Sequence, residues 1–212
     1  MKNPLRETLA TKIAQSLADR IITGVIRPNT PLRQDHIAAE FGASHVPVRE
    51  AFRQLEAQGL AISEPQRGMR VTPFDVEDLH EVAAMRASLE VLALRHAVPN
   101  ITSAVLEAAE QATHAGDVSR EVREWEDANR RFHRLILGPC GMPRLLSAID
   151  TLHTASARFL FAAWRSDWEA PTNHEHRAIL AALRRGETDR ACLILSKHVG
   201  RTRRRDLQKN GL

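Results

Sequence analysis

The sequence predicts a mainly α-helical chain in two parts: a small N-terminal unit of three helices and a β-hairpin, then a longer all-α antiparallel helical bundle. Three observations carry this. Apolar residues recur at helical spacing through most of the 212 residues. One short segment, Ala61 to Val71, instead sets Gly68 among polar residues between apolar ends, as a hairpin does. After Pro73 the composition changes and the chain reads as helix after helix, which gives units of residues 7–73 and 75–207.

Size and composition bound the rest. At 43% hydrophobic and 26% charged residues the chain can bury an ordinary core. It holds no run of eighteen apolar residues, and Met1-Lys-Asn-Pro-Leu-Arg6 has no signal-peptide core, so a soluble, cytoplasmic protein with no membrane partner is expected. Cys140 and Cys192 lack metal-knuckle spacing and read as core thiols. The formal charge is +4, and the basic run from Lys197 to Lys209 reads as a solvated helix end.

Leu9, Ile13, Leu17 and Ile21 fall on one face of a first helix that ends before Gly24 and Pro28. Ile37, Ala38 and Phe41 mark a second, closed by Gly42. Val48, Ala51, Phe52 and Leu55 mark a third, which ends at Gly59. Beyond the hairpin, breaks are expected at Pro99-Asn100, Gly116, Gly138 to Pro143, Pro171 and Gly186.

Two short helices joined through Gly42-Ala43, with Ser44 as a candidate N-cap, outline a helix-turn-helix. Pro47 suits a first helical turn, where its missing N–H is not needed. The third helix's apolar stripe packs inward and leaves His45, Arg49 and Arg53 facing out, as a helix entering a major groove requires. The plainer alternative is that these are solvated charges, with Arg53 paired to Glu56. The full order of three helices and a hairpin carrying Arg67 and Arg70 favours DNA.

The helical half places polar groups on apolar faces. Between Glu121 and Leu137, Val122, Trp125, Phe132 and Ile136 form a stripe with Asn129 and His133 in its middle. His176 shares a face with Ile179, Leu180 and Leu183, in a helix opened by an expected capping box, Thr172-Asn-His-Glu175. His198 aligns with Ala191, Ile194 and Leu195. An unpartnered buried imidazole costs roughly a few kcal/mol, so these groups should meet in the bundle. Three histidines and one oxygen ligand suit a divalent ion such as Zn²⁺, Ni²⁺ or Mn²⁺, whereas each histidine taken singly reads as a core residue bonded to a backbone carbonyl. His153 and the other remaining histidines, His45 apart, are expected at the surface or stay unassigned. Arg86, among Leu79, Val82, Ala83 and Ala93, needs an anion, either Glu90 one turn on or a bound ligand.

Ile22-Thr-Gly-Val-Ile-Arg-Pro28, Leu32, Ile37 to Ser44, Pro47-Val-Arg-Glu-Ala51, Leu55 to Leu60 and Arg67-Gly68 resemble the winged helix-turn-helix of GntR-family transcriptional regulators. The resemblance implies that Arg33, Ser44, His45, Pro47 and Arg49 lie at the operator interface, and that Arg67 and Gly68 form a wing in the minor groove. Met85-Arg86, Leu89-Glu90, Asn129-Arg-Arg-Phe-His133, Glu175-His-Arg-Ala178 and His198-Val199 are similar, more loosely, to the FCD ligand-binding domain of the FadR subfamily. That resemblance implies a metal held by Asn129, His133, His176 and His198, and a small carboxylate effector bound by the metal and by a basic side chain, for which Arg86 is the candidate.

Three positions depart from the family pattern. His45 and Asn29 stand where relatives usually have Arg and Gly, and Asn129 stands where metal-binding members often have Asp. A neutral carbonyl is a weaker ligand for a hard cation, and Asp127 points to another side of the helix. The expected function is a metabolite-responsive regulator, more often a repressor in this family, acting as a homodimer on a palindromic double-stranded operator. The rivals are a constitutive DNA-binding protein whose bundle only dimerises, and a metal-dependent hydrolase, for which no general base is evident once Glu175 is taken as a capping residue.

Overall fold

The computed structural model describes residues 8–163 and 173–201. They form two compact units that divide after Asp75, each with its own apolar core. The N-terminal limit at residue 7, the C-terminal limit at 207, the break at Pro171 and the basic run beyond Arg201 lie outside the described residues.

In the first unit, α1 (Leu9–Ile22) begins where the Thr8 hydroxyl accepts the Thr11 amide, and it buries Ile13, Leu17 and Ile21. Leu9, expected on the same stripe, is exposed; it is the first helical residue, and the core begins one turn later. Asn29 then takes φ +64°, a left-handed conformation that asparagine tolerates better than most residues. Its amide donates to Val71 O at 3.0 Å. The next residues form β1 (Pro31–Leu32), too short to be seen in the sequence.

Two helices follow, α2 (Gln34–Phe41), closed by Gly42 at φ +58°, and α3 (His45–Ala57). Ser44 occupies the N-cap position of α3 in an extended conformation, but its hydroxyl makes no capping bond. The start of α3 is instead tied to α2, through Gln34 Nε2 donating to His45 O at 3.1 Å. Val48, Ala51, Phe52 and Leu55 pack against Ile13 and Leu17. The expected hairpin is present as β2 (Ala61–Glu64) and β3 (Gly68–Val71), in the register Ala61↔Val71 to Glu64↔Gly68. β1 adds on the far side of β3, so the wing is a three-stranded antiparallel sheet of order β1-β3-β2.

The second unit is helical throughout its described residues: α4 (Val76–Ala97), α5 (Ser103–Asp117), α6 (Val122–Leu137), α7 (Pro143–Ala163), α8 (His174–Arg184) and α9 (Thr188–Gly200). Short 3-10 turns at Val98–Asn100 and Gly138–Cys140 occupy two of the expected breaks. Gly116 lies inside the last turn of α5 rather than after it. α5 packs on α6, α4 on α7 and α9, and α8 on α9. Phe132, Ile136, Ile179, Leu180 and Leu195 lie at the centre of the core.

The expected capping box at the start of α8 is not formed. Asn173 is the N-cap residue, and the Glu175 carboxylate turns away to His198 Nδ1 and to Arg201, each at 2.9 Å. A carboxylate gains more from a guanidinium and an imidazole N–H than from a backbone amide that water can also satisfy. Thr172 lies outside the described residues.

Candidate nucleic-acid interface and candidate metal centre

One exposed face of the first unit is a groove of about 850 Å³ between α3 and the wing. Arg33, Arg49, Arg53, Arg67 and Arg70 line it with Gly68. Ser44 and His45 are exposed at the start of α3, and Pro47 is half-buried beside them. The Arg53 to Glu56 pair of the plainer alternative is not formed: Glu56 Oε1 accepts the Ser63 amide at 3.3 Å. Arg49 and Arg53 stay exposed. His45 Nε2 lies 3.1 Å from Asp35 Oδ1, so the side chain that replaces the family's arginine is oriented by α2. In the wing, the tight turn puts Gln66 at φ +64° and Gly68 at φ +77° and leaves Arg67 at the tip, its side chain 77% exposed.

In the second unit, His133 of α6, His176 of α8 and His198 of α9 bring ligand atoms within 4.8 Å of one another. The Nε2 atoms of His176 and His198 are 3.1 Å apart. Two nitrogens on one ion, each about 2.1 Å from it, are separated by roughly 3 Å, so the spacing suits a shared ion. Each ring is oriented from behind or below. His133 Nδ1 lies 2.6 Å from Glu90 Oε2, His198 Nδ1 lies 2.9 Å from Glu175 Oε2, and Phe132 stacks on His176 at 3.8 Å between ring centroids. At His198 the carboxylate on Nδ1 fixes the tautomer that leaves the Nε2 lone pair for a metal.

Several buried atoms here lack a hydrogen-bond partner: both ring nitrogens of His133, Nδ1 of His176 and Oδ1 of Asn129. The Glu90 contact to His133 is short but not aligned as a hydrogen bond. Burial favours neutral imidazoles and lowers the pKa of His133, of His176 and of His153, the last to about 3 with the help of the Arg86 charge. Neutral imidazole is the metal-binding form. The three imidazoles stand close enough to share one divalent ion, and the buried Asn129 Oδ1, an acceptor with no donor, lies on the same cavity wall as His133 and His198, so the donor set fits a divalent ion.

Asn129, His133 and His198 also line a cavity of about 430 Å³ that reaches Arg86, Glu126 and Ser156. Arg86 is held firmly: Nε donates to Glu90 Oε1 at 2.9 Å, Nη1 to Ser156 Oγ at 3.1 Å, and Nη2 lies 3.0 Å from His153 Nε2. The expected Glu90 partner is thus present. Burial by itself would raise the Glu90 carboxyl, but its polar neighbours, the permanent charge of Arg86 among them, outweigh it and hold its pKa well below the usual range.

Sequence reasoning missed His153, which is buried, not at the surface. The signal was there, since Ile149, His153 and Ala157 repeat at four-residue spacing on α7, and all three are buried. It also gave Glu90 and Glu175 no part beside the histidines, because neither lies on the same helix as the imidazole it orients.

A winged three-helix unit with an arginine-lined groove, on the same chain as a helical bundle that encloses a histidine-walled cavity, defines the class of ligand-responsive DNA-binding regulators. The comparisons agree. Residues 9–71 match the model of bacterial regulatory proteins of the gntR family, and residues 81–201 match the FCD domain. The chain therefore belongs to the GntR family, in its FCD-bearing branch, and is a transcriptional regulator, not an enzyme.

It is 31% identical over 204 residues, 93% of this chain and 88% of the relative, to a probable D-xylose utilization operon transcriptional repressor of Paenarthrobacter nicotinovorans. It is 25% identical, over 89% of this chain and 84% of the relative, to the HTH-type transcriptional repressor RspR of Escherichia coli. Among solved structures, E. coli McbR/YncC shares the fold at a TM-score of 0.79 and 21% identity, covering 95% of this chain and 98% of that one. No helix among the described residues is long and apolar enough to cross a membrane.

Proposed function

We propose that the protein is a cytoplasmic, homodimeric repressor of a metabolic operon, released from a palindromic operator by a small organic acid bound in the bundle cavity. The observation that carries this is the meeting of His133, His176 and His198, from three different helices, beside an orphaned Asn129 oxygen on the wall of that cavity. These four residues hold a divalent ion, Zn²⁺, Ni²⁺ or Mn²⁺, which supplies a positive, Lewis-acidic anchor for the acid. Arg86 contributes positive potential on the same wall. The name of the D-xylose operon relative supports a target among genes of carbon-source use.

In the first unit, Ser44, His45, Pro47, Arg49 and Arg53 of α3, with Arg33, meet the major groove and adjacent phosphates, while Arg67 and Gly68 carry the wing into the minor groove. The lining of one groove by Arg33, Arg49, Arg53, Arg67 and Gly68 supports this assignment. Effector control requires that free and operator-bound protein differ in effector affinity.

Fluorescence anisotropy with the chain's own upstream intergenic DNA tests the reading. The metal-loaded protein should bind it specifically and let go when the right organic acid is added; Arg49→Ala should weaken binding roughly tenfold or more. Unchanged affinity in that variant would remove the α3 assignment. A second reading, that the bundle only dimerises, is favoured by the neutral Asn129. Protein purified without chelator that carries no metal, and whose melting temperature ignores added Zn²⁺, Ni²⁺ and Mn²⁺, would establish it instead.

A further inference from the structure

Outside the candidate metal centre the cavity wall holds several ionisable side chains, and among the described residues all but one have partners within the protein. Arg86 is taken by Glu90, Ser156 and His153. Glu175 is taken by His198 and Arg201. Glu126 differs. It lies on α6 one turn before Asn129, is 7% exposed and lines the cavity, yet among the described residues no hydrogen bond or ion pair engages its carboxyl. The nearest cation on its own helix, Arg130, is directed to α7, where it donates to Asp150 O at 3.0 Å and Thr154 Oγ1 at 2.9 Å. Glu126 is not one of the clustered metal-ligating side chains.

The residue is buried, yet its carboxyl oxygens are not among the side-chain atoms sealed off without a partner; they open onto the cavity, so a group bound there is their natural partner. We propose that Glu126 is the specificity-determining residue of the effector site and accepts a hydrogen bond from a hydroxyl of the effector, which makes the effector a hydroxylated organic acid rather than a plain carboxylate. The inference rests on the reading of this cavity as the effector site and adds the second functional group the ligand must carry. Asn129 and the histidines engage the acid end; Glu126, a helical turn away, reads the chain beyond it.

A hydroxyl fits better than an ammonium group. The wall already carries Arg86 and Arg201 beside the candidate metal site, and a further cation would face their repulsion. Burial also raises the Glu126 carboxyl, toward the neutral acid that pairs with a hydroxyl but gives an ammonium little. A site built to pair with a ligand hydroxyl rejects the analogue that lacks it, because the protein group is then left buried and unpaired.

Isothermal titration of the full-length, metal-loaded protein tests this with three sets of probes: lactate, glycerate and gluconate; propionate and hexanoate; alanine and 6-aminohexanoate. The wild type should bind at least one hydroxylated acid roughly tenfold or more tighter than its unsubstituted counterpart. Glu126→Leu should erase that ratio while still binding the plain acids, and Glu126→Gln, which keeps an acceptor, should restore part of it. The unliganded Glu126→Leu protein should melt no lower than wild type, since it loses an unpaired buried carboxyl and no contact. Acids that bind with no preference for the hydroxyl, a ratio that survives Glu126→Leu, a preference for the amino acids, or a lowered melting temperature in Glu126→Leu would each overturn the inference and leave the effector site standing. If none of the acids binds at all, the carboxylate-effector reading falls and takes this inference with it.

Discussion

Gly116 matters for the side chain it lacks. A Cβ there would stand 2.9 Å from Nδ2 of Asn173, the amide that joins the start of α8 to the end of α5. That amide donates to Asp117 Oδ1 at 3.0 Å, and Arg177 pairs with the same carboxylate. His176 sits in the first turn of α8, so this anchor sets where an imidazole of the candidate metal centre stands. Asn173→Ala should cost about 1–2 kcal/mol in urea unfolding and weaken metal binding in titration, although Asn173 is not a candidate ligand. Glu90 is the more severe case, being fully buried between Arg86, His133 and His153. Glu90→Gln leaves the Arg86 charge unpaired, at about 3–5 kcal/mol, and frees the His133 ring, at roughly 10–100-fold in metal affinity. Calorimetric titration that found full affinity in this variant would show that Glu90 does not orient His133. At Asn129 the expected change runs the other way: Asn129→Asp should tighten Mn²⁺ binding roughly tenfold or more by adding a negative charge to the ligand set.

At the scale of elements, α3 and α6 each carry two kinds of chemistry, and the sequence showed both differently. The apolar side of α3 was legible because Val48, Ala51, Phe52 and Leu55 repeat at helical spacing, and all four are buried. Leu55→Ala should therefore cost about 2–5 kcal/mol in unfolding of the first unit. By contrast Arg49→Ala, on the exposed side, should leave that stability within about 0.5 kcal/mol and lower the salt dependence of DNA binding by about one phosphate contact. Asn129 and His133 on α6 were legible as polar residues inside an apolar stripe. What the stripe faced was not, because a period shows which residues share a face and not which residues of other helices meet them. That is why the capping box failed. Thr172-Asn-His-Glu175 has the right spacing, but the nearest strong partners of Glu175 come from α9 and from Arg201 beyond it.

For the whole molecule, two separate cores in one chain predict two unfolding transitions that need not coincide. In differential scanning calorimetry a divalent ion bound through α6, α8 and α9 should raise the transition of the bundle alone, by about 2.7 kcal/mol of added stability at a free concentration 100 times its dissociation constant. A shift confined to the winged unit would place the ion elsewhere. The sequence by itself determined the succession of helices and the hairpin, the exposed basic side of α3 and the three histidines on apolar faces, because these are properties of periodicity and turn chemistry. Only the tertiary structure decided that β1 completes the wing, that His153 is buried, that Glu90 and Glu175 stand behind His133 and His198, and that Glu126 is left facing the cavity without a partner. Each of those depends on residues far apart in the chain, whose meeting is fixed by how helices pack and which charge reaches a buried partner first.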